Sequence, residues 1–188
     1  MKVKELPRNV YAETDMQLND KYLSQLIGMV ELMRRGEKDG VAFSNTEFGW
    51  QSSGLPHNGV FIPFLQNLTV KCNEFCKQLK NFKFKTVKID YFWANINYKH
   101  DINWPHRHQG DLSGVFYLQT PDNSGDLCLH STDYAVNNKI SEYLNDQPIR
   151  IKPEINKLVL FDANCSHYVT RSYSDTPRVS LSFNANVC

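Results

Sequence analysis

Apolar positions in the first part of the chain recur at helical spacing. Tyr22, Leu23, Leu26, Ile27, Val30 and Met33 fall on one face; Asn19 or Asp20 can cap the start, and Arg34, Arg35 and Gly36 close the segment. A second helix is predicted over 63–79, where Pro63 suits the first turn and Leu65, Leu68, Cys72, Phe75, Cys76 and Leu79 form the apolar stripe. That stripe makes both cysteines core residues. Residues 44–54 between the helices are polar and Gly-bearing, which suits a loop or a short strand and turn.

From Lys85 onward the period changes from helical to alternating. β-branched and aromatic residues mark strands over 86–98, 113–119, 126–130, 158–161, 167–170 and 178–184. Turn chemistry separates them at 121–125, 162–164 and 174–177, with no helical segment of comparable strength between. This order predicts a mainly β (α+β) chain, with N-terminal helices packed on an antiparallel sandwich or barrel. A length of 188 residues with 41% hydrophobic content fits one domain, divided into a helical part at about 1–84 and a β core at about 85–188.

The formal charge of +1 provides no field to recruit nucleic acid or an anionic membrane, so neither partner is expected. The apolar runs are too short to span a bilayer, and the first residues lack the apolar stretch of a signal peptide. Five cysteines, Cys72, Cys76, Cys128, Cys165 and Cys188, are an odd and scattered set, which fits free thiols in a reducing cytoplasm.

The chemistry-bearing residues lie in the second half. His106 and His108 are two apart, so a strand would aim both imidazoles at one point, and His167 stands at the start of a later strand. Two near ligands and one distant is how a jelly-roll assembles a facial metal site. An H-x-H pair alone is more often two surface residues, and a lone distant histidine more often a hydrogen-bonded core residue. The strand at 178–184 shifts that balance. Val179, Leu181 and Phe183 form an apolar face, while Arg178, Ser180, Ser182 and Asn184 share a polar one. That polar face is either the outer surface or a carboxylate receptor built on the Arg178 guanidinium and the Ser180 hydroxyl. Tyr117 can add its phenol to such a pocket. Trp93, Asn95 and Asn97 share a strand face with Tyr91 and either line a substrate pocket or pack and satisfy backbone groups.

Taken in order, His106-x-His108, Ser113-Gly114-Val115-Phe116-Tyr117-Leu118, Gly125-Asp126-Leu127, Leu158-Val159-Leu160-Phe161 with His167, and Arg178-x-Ser180-x-Ser182-Phe183-Asn184 resemble the 2-oxoglutarate and Fe(II)-dependent oxygenase superfamily. Ser44-Asn45, Gly49-Trp50-Gln51-Ser52 and Trp93-x-Asn95 narrow the resemblance to oxygenases of marine bacteria and cyanobacterial phages. The similarity spans roughly residues 44–184.

The resemblance implies a double-stranded β-helix in which His106 and His167 hold iron, and Arg178, with Tyr117 and Ser180, grips the far carboxylate of 2-oxoglutarate. His108 occupies the position where most of the superfamily carries Asp or Glu, and Asp111 is the nearest carboxylate that could replace it. Three imidazoles leave half of an octahedral shell open, and they also suit zinc. The implied activity couples decarboxylation of 2-oxoglutarate to succinate with oxidation, usually hydroxylation, of a small-molecule or peptide substrate by O2. The implied setting is the cytoplasm of a bacterium or phage-infected host cell. The alternatives are a cupin-like three-histidine dioxygenase that does not use 2-oxoglutarate, and a β-sandwich binding or structural module without metal.

Overall fold

The computed structural model describes residues 1–6, 9–41, 45–130 and 148–188. Helix α1 (Asp20–Gly36) begins where its cap was predicted, with the Asn19 side chain accepting from the Tyr22 N–H at 3.0 Å. The Tyr22 hydroxyl donates to the Val60 carbonyl at 2.7 Å and accepts from the Phe64 N–H at 2.9 Å. One phenol thus ties α1 to the first turn of α2 (Ile62–Lys77), whose own cap residue, Phe61, has no side-chain hydrogen bond to offer.

The strands are β1 (Lys4–Leu6), β2 (Asn9–Asp15), β3 (Trp50–Gln51), β4 (Val87–Asn97), β5 (Asn103–His106), β6 (Leu112–Gln119), β7 (Leu127–His130), β8 (Ile149–Ile151), β9 (Lys157–Asp162), β10 (Ser166–Val169) and β11 (Arg178–Val187). They form a seven-stranded sheet in the order β1-β2-β9-β6-β11-β4-β3 and a four-stranded sheet in the order β5-β10-β7-β8. Every pairing is antiparallel.

The division at residue 84 requires a correction, because β1 and β2 were not expected and β2 pairs with β9 inside the large sheet. Strand β8 was also missed. Three-residue strands such as β1 and β8 are too short to display an alternation.

The large sheet is buried on both faces. One face packs beneath the helices, joining Leu26, Phe64, Leu68 and Cys72 to Phe92, Phe116, Leu181 and Phe183. The other meets the small sheet through Tyr117, Val159 and Phe161 against Leu127, Leu129 and Ile151. On β4 the pairing with β11 skips Asp90, so a bulge switches the alternation: Val87 and Ile89 share the core with Phe92, Ala94 and Ile96. Beyond the bulge, Tyr91, Trp93, Asn95 and Asn97 face the space between the sheets. Gly114 on β6 permits a close approach, since a Cβ there would lie 2.5 Å from the Val159 carbonyl oxygen and 2.7 Å from the Phe183 ring. Among the described residues no helix is long and apolar enough to cross a membrane.

Phe92 is fully buried with its ring 5.3 Å from that of Phe61 and 6.4 Å from that of Phe64. Phe92→Ala should destabilise the fold by about 3–5 kcal/mol, through lost burial and the cavity left behind, as measured by denaturant unfolding.

Candidate active site

Strands β5 and β10 place His106 directly opposite His167. Their rings are 4.2 Å apart between centroids, and the His108 ring lies 4.8 Å from His106 and 4.9 Å from His167. One donor atom from each imidazole falls within 4.8 Å of the others. The three predicted histidines converge, but strand alternation does not aim His108, because β5 ends at His106. His108 is held instead by its N–H, which donates to the Ala163 carbonyl at 3.0 Å, and by the Trp93 ring 5.5 Å away.

Two backbone carbonyls orient the cross-strand pair. His106 Nδ1 lies 2.7 Å from the Trp104 oxygen and His167 Nδ1 lies 3.0 Å from the Cys165 oxygen, each two residues upstream. An Nδ1–H donated to a carbonyl leaves the Nε2 lone pair available to a metal. His108 Nε2 lies 3.2 Å from His167 Nε2, so these two nitrogens face one another. Asn45 Nδ2 donates to the same Trp104 carbonyl at 2.6 Å and also lies 2.6 Å from His106 Nδ1. Burial pushes the His106 imidazole below its usual range, lowers His108 to about 4 with help from the neighbouring His106, and, with the two neighbouring imidazoles, holds His167 well below its usual range. All three are therefore neutral near pH 7, the form that ligates metals.

Across the same cavity of about 250 Å³ stands Arg178, only 3% exposed. Its Nη1 donates to the Gly125 carbonyl at 3.1 Å and its Nη2 to Asn97 Oδ1 at 2.7 Å, while Nε has no partner among the described residues. Gly125 reaches that position at a φ of 88°, a conformation that favours glycine. A buried guanidinium with an unpaired N–H and only neutral acceptors in hydrogen-bond contact feels Asp101 and Asp126 only from a distance, and a ligand carboxylate would supply a direct partner. Tyr117 and Ser180, paired across β6 and β11, line the cavity beside it. Burial pushes the Tyr117 phenol up to about 12 despite the Arg178 charge, so it stays a donor. Three neutral imidazoles and a guanidinium with no carboxylate in direct contact fit a divalent metal and a carboxylate cosubstrate.

Trp93 and Asn95 line the cavity, with Trp93 tilted on Tyr91 at 5.4 Å and Asn95 Nδ2 donating to Ser182 Oγ at 3.0 Å. Asn97 also reaches the cavity, but its amide is committed to Arg178, Asp101 and Asn103, which sets it at the guanidinium rather than in a free substrate wall. Asp111 is not brought to the histidines. Its carboxylate accepts from the Val187 N–H at 2.8 Å and lines a separate cavity with Phe75, Leu79 and Phe84. Sequence reasoning missed Asn103 and Asp101; the latter lies in a charged, turn-like stretch resembling exposed loop. Ser44 lies outside the described residues.

Residues 91–184 match the family model described as "Putative 2OG-Fe(II) oxygenase", 2OG being 2-oxoglutarate. The chain belongs to this family. It is accordingly an oxygenase that uses Fe(II) and 2-oxoglutarate, and the metal-free binding module and the 2-oxoglutarate-independent dioxygenase are set aside. Among solved structures it is similar to a Pseudomonas putida prolyl-4-hydroxylase, 13% identical with a TM-score of 0.67 over 93% of this chain and 91% of that one. It is also similar to the viral collagen prolyl hydroxylase of Paramecium bursaria Chlorella virus-1 in its 2-oxoglutarate complex, 12% identical with a TM-score of 0.63 over 93% and 94%. HygX from Streptomyces hygroscopicus, with nickel, 2-oxoglutarate and hygromycin B bound, is 10% identical with a TM-score of 0.65 over 94% and 82%. At such identities the likeness shows the fold, the double-stranded β-helix expected from the sequence. No curated protein sequence matches the chain.

Because Asp111 serves the β11 backbone and not the histidine cluster, Asp111→Ala should leave Fe(II) affinity at the wild-type value. Stability should fall by about 1 kcal/mol through the lost hydrogen bond, read by parallel metal titration and thermal unfolding.

Proposed function

We propose that the family's iron sits on His106, His108 and His167 and that Arg178, with Tyr117 and Ser180, receives the far carboxylate of 2-oxoglutarate. The observation that carries this reading is the shared cavity: three desolvated imidazoles at one end and a buried guanidinium with an orphan Nε at the other. When bound, Fe(II) supplies the oxidising chemistry, driven by O2 and the conversion of 2-oxoglutarate to succinate and CO2. The residues of the chain orient and exclude. The Trp104 and Cys165 carbonyls hold two imidazoles with Nε2 free, Trp93 shields His108, and Phe161 packs 4.7 Å from the His167 ring.

The prime substrate enters past Trp93 and Asn95 and is hydroxylated there. It is a peptide or small molecule, a range matching the prolyl hydroxylases and hygromycin-binding HygX of similar fold. The whole chain of 188 residues works as one unit, in keeping with the sheet that joins β2 to β9. Five free cysteines, four of them buried, support a reducing cytoplasmic setting in a bacterium or phage-infected cell.

Succinate formation with and without Fe(II) tests the cosubstrate half-reaction before any prime substrate is known. In that assay Arg178→Gln should weaken 2-oxoglutarate binding about ten- to a hundredfold, since charge-assisted hydrogen bonds are worth roughly 1.5–3 kcal/mol each. A folded mutant with unchanged affinity would place the receptor elsewhere.

His108 gives an independent test of the metal end. His108→Ala should lower Fe(II) affinity and succinate formation, and His108→Asp should recover part of both, because a carboxylate also ligates iron. Recovery should be incomplete, since neighbours built to orient an imidazole commonly cost about 10- to 100-fold when mismatched. An Ala form that binds iron and turns over like wild type would remove His108 from the site.

A further inference from the structure

A buried chain of polar side chains links Arg178 to the segment above His106. Asp101, in the turn between β4 and β5, is 1% exposed. Its Oδ1 accepts from the N–H groups of Glu47 at 2.9 Å and Phe48 at 2.8 Å, and its Oδ2 accepts from Asn97 Nδ2. Asn97 Nδ2 also donates to Asn103 Oδ1 at 3.0 Å, while Asn97 Oδ1 accepts from Arg178 Nη2 at 2.7 Å. A carboxamide has one donor end and one accepting end, whereas a carboxylate only accepts. Asp101 therefore permits Asn97 one orientation, with its donor end toward the carboxylate and its oxygen toward the guanidinium.

We infer that Asp101 is a positioning residue for the cosubstrate-binding Arg178, acting through the amide polarity of Asn97. The inference rests on the reading that Arg178 receives 2-oxoglutarate. Asn97 and the Gly125 carbonyl together engage both terminal nitrogens, and Nε has no partner among the described residues. A carboxylate touching Arg178 directly would compete with the cosubstrate for the same charge. The interposed amide fixes the fork while leaving that charge to be met by the ligand. Asp101 also anchors the 47–48 backbone, and Asn45 just upstream donates to the carbonyl that orients His106. One carboxylate thus serves both ends of the site.

The test uses the full chain loaded anaerobically with Fe(II), measuring 2-oxoglutarate affinity by calorimetry, Fe(II) affinity by titration, and kcat and KM for succinate formation. In Asp101→Asn the new Oδ1 can still accept from Glu47 and Phe48, but its Nδ2 confronts Asn97 Nδ2. Asn97 then turns over and presents a donor to Arg178. The 2-oxoglutarate Kd and KM should rise about tenfold, the loss of one charge-assisted hydrogen bond, with Fe(II) affinity and kcat at saturation retained. Asn97→Ala should match that rise, and the double variant should be no worse than Asn97→Ala alone, because both changes remove the same acceptor. Wild-type affinity in Asp101→Asn, additive losses, or a fall in kcat with KM unchanged would each overturn the relay.

If Asp101→Asn fails to fold, the swap Asn97→Asp with Asp101→Asn restores donor-to-acceptor matching between the two positions but puts a carboxylate against Arg178. It should bind 2-oxoglutarate more than tenfold more weakly, and wild-type affinity there would overturn the proposal. Arg178→Gln separates the two levels: if it leaves affinity unchanged, the receptor reading itself fails, whereas weakened binding in Arg178→Gln with wild-type binding in Asp101→Asn rejects only the relay.

Discussion

The alternation of β11 puts Val179, Leu181 and Phe183 into the core beneath the helices, and Arg178, Ser180 and Ser182 into the cavity between the sheets. With β4 on one side and β6 on the other, this strand joins the packing problem to the binding problem. A slip of one residue would exchange the two faces, carrying a guanidinium into the core and a phenylalanine into the cavity. Register is therefore defended on both flanks. On the β6 side Gly114 admits the Phe183 ring and the Val159 backbone, and on the β4 side the bulge at Asp90 keeps Val87 and Ile89 with the core.

Given that register, the histidines are positioned by backbone more than by one another. Trp104 and Cys165 each offer a carbonyl to the imidazole two residues on, a local contact that extended chain makes readily at neighbouring points of β5 and β10. Direct cross-strand pairing then sets His106 against His167. Desolvation keeps the imidazoles neutral, which removes the repulsion that three clustered cations would produce. Packing that excludes water from the site thus also readies its donor nitrogens.

What was legible in the sequence follows the same physics. The β11 alternation, the Asn19 cap and the stripe of α2 are local patterns with one structural solution, and each appears where the residues indicated. His106 and His167 were recognisable from order and spacing, but His108 was expected on the strand and instead hangs from the Ala163 carbonyl, a contact made across the turn before β10. Strands β1 and β2 were invisible because β2 is stabilised by β9, nearly the whole chain away, and not by its own pattern. Asp101 was hidden for the opposite reason. Its surroundings look like exposed turn, and only the convergence of Asn97, Glu47 and Phe48 on it makes burial of a carboxylate tolerable.

The distribution of charge in the cavity makes metal and cosubstrate interdependent under the proposed assignment. Among the described residues lining it there is no carboxylate, and Arg178 is its one formal cation. Three neutral donors leave the charge of a divalent metal undiminished, where a carboxylate ligand would offset one unit of it. The far end already holds a guanidinium whose burial opposes its own ionisation. A metal at one end and Arg178 at the other thus form a cavity positive at both poles, which a dicarboxylate spanning them neutralises and which neutral molecules of similar size do not. Loading the metal should raise the affinity for 2-oxoglutarate, and by linkage 2-oxoglutarate should tighten the metal by the same factor. A superfamily member with an aspartate in place of His108 would hold its metal partly neutralised without the cosubstrate. Under the proposed assignment that compensation comes instead from the 2-oxoglutarate carboxylates.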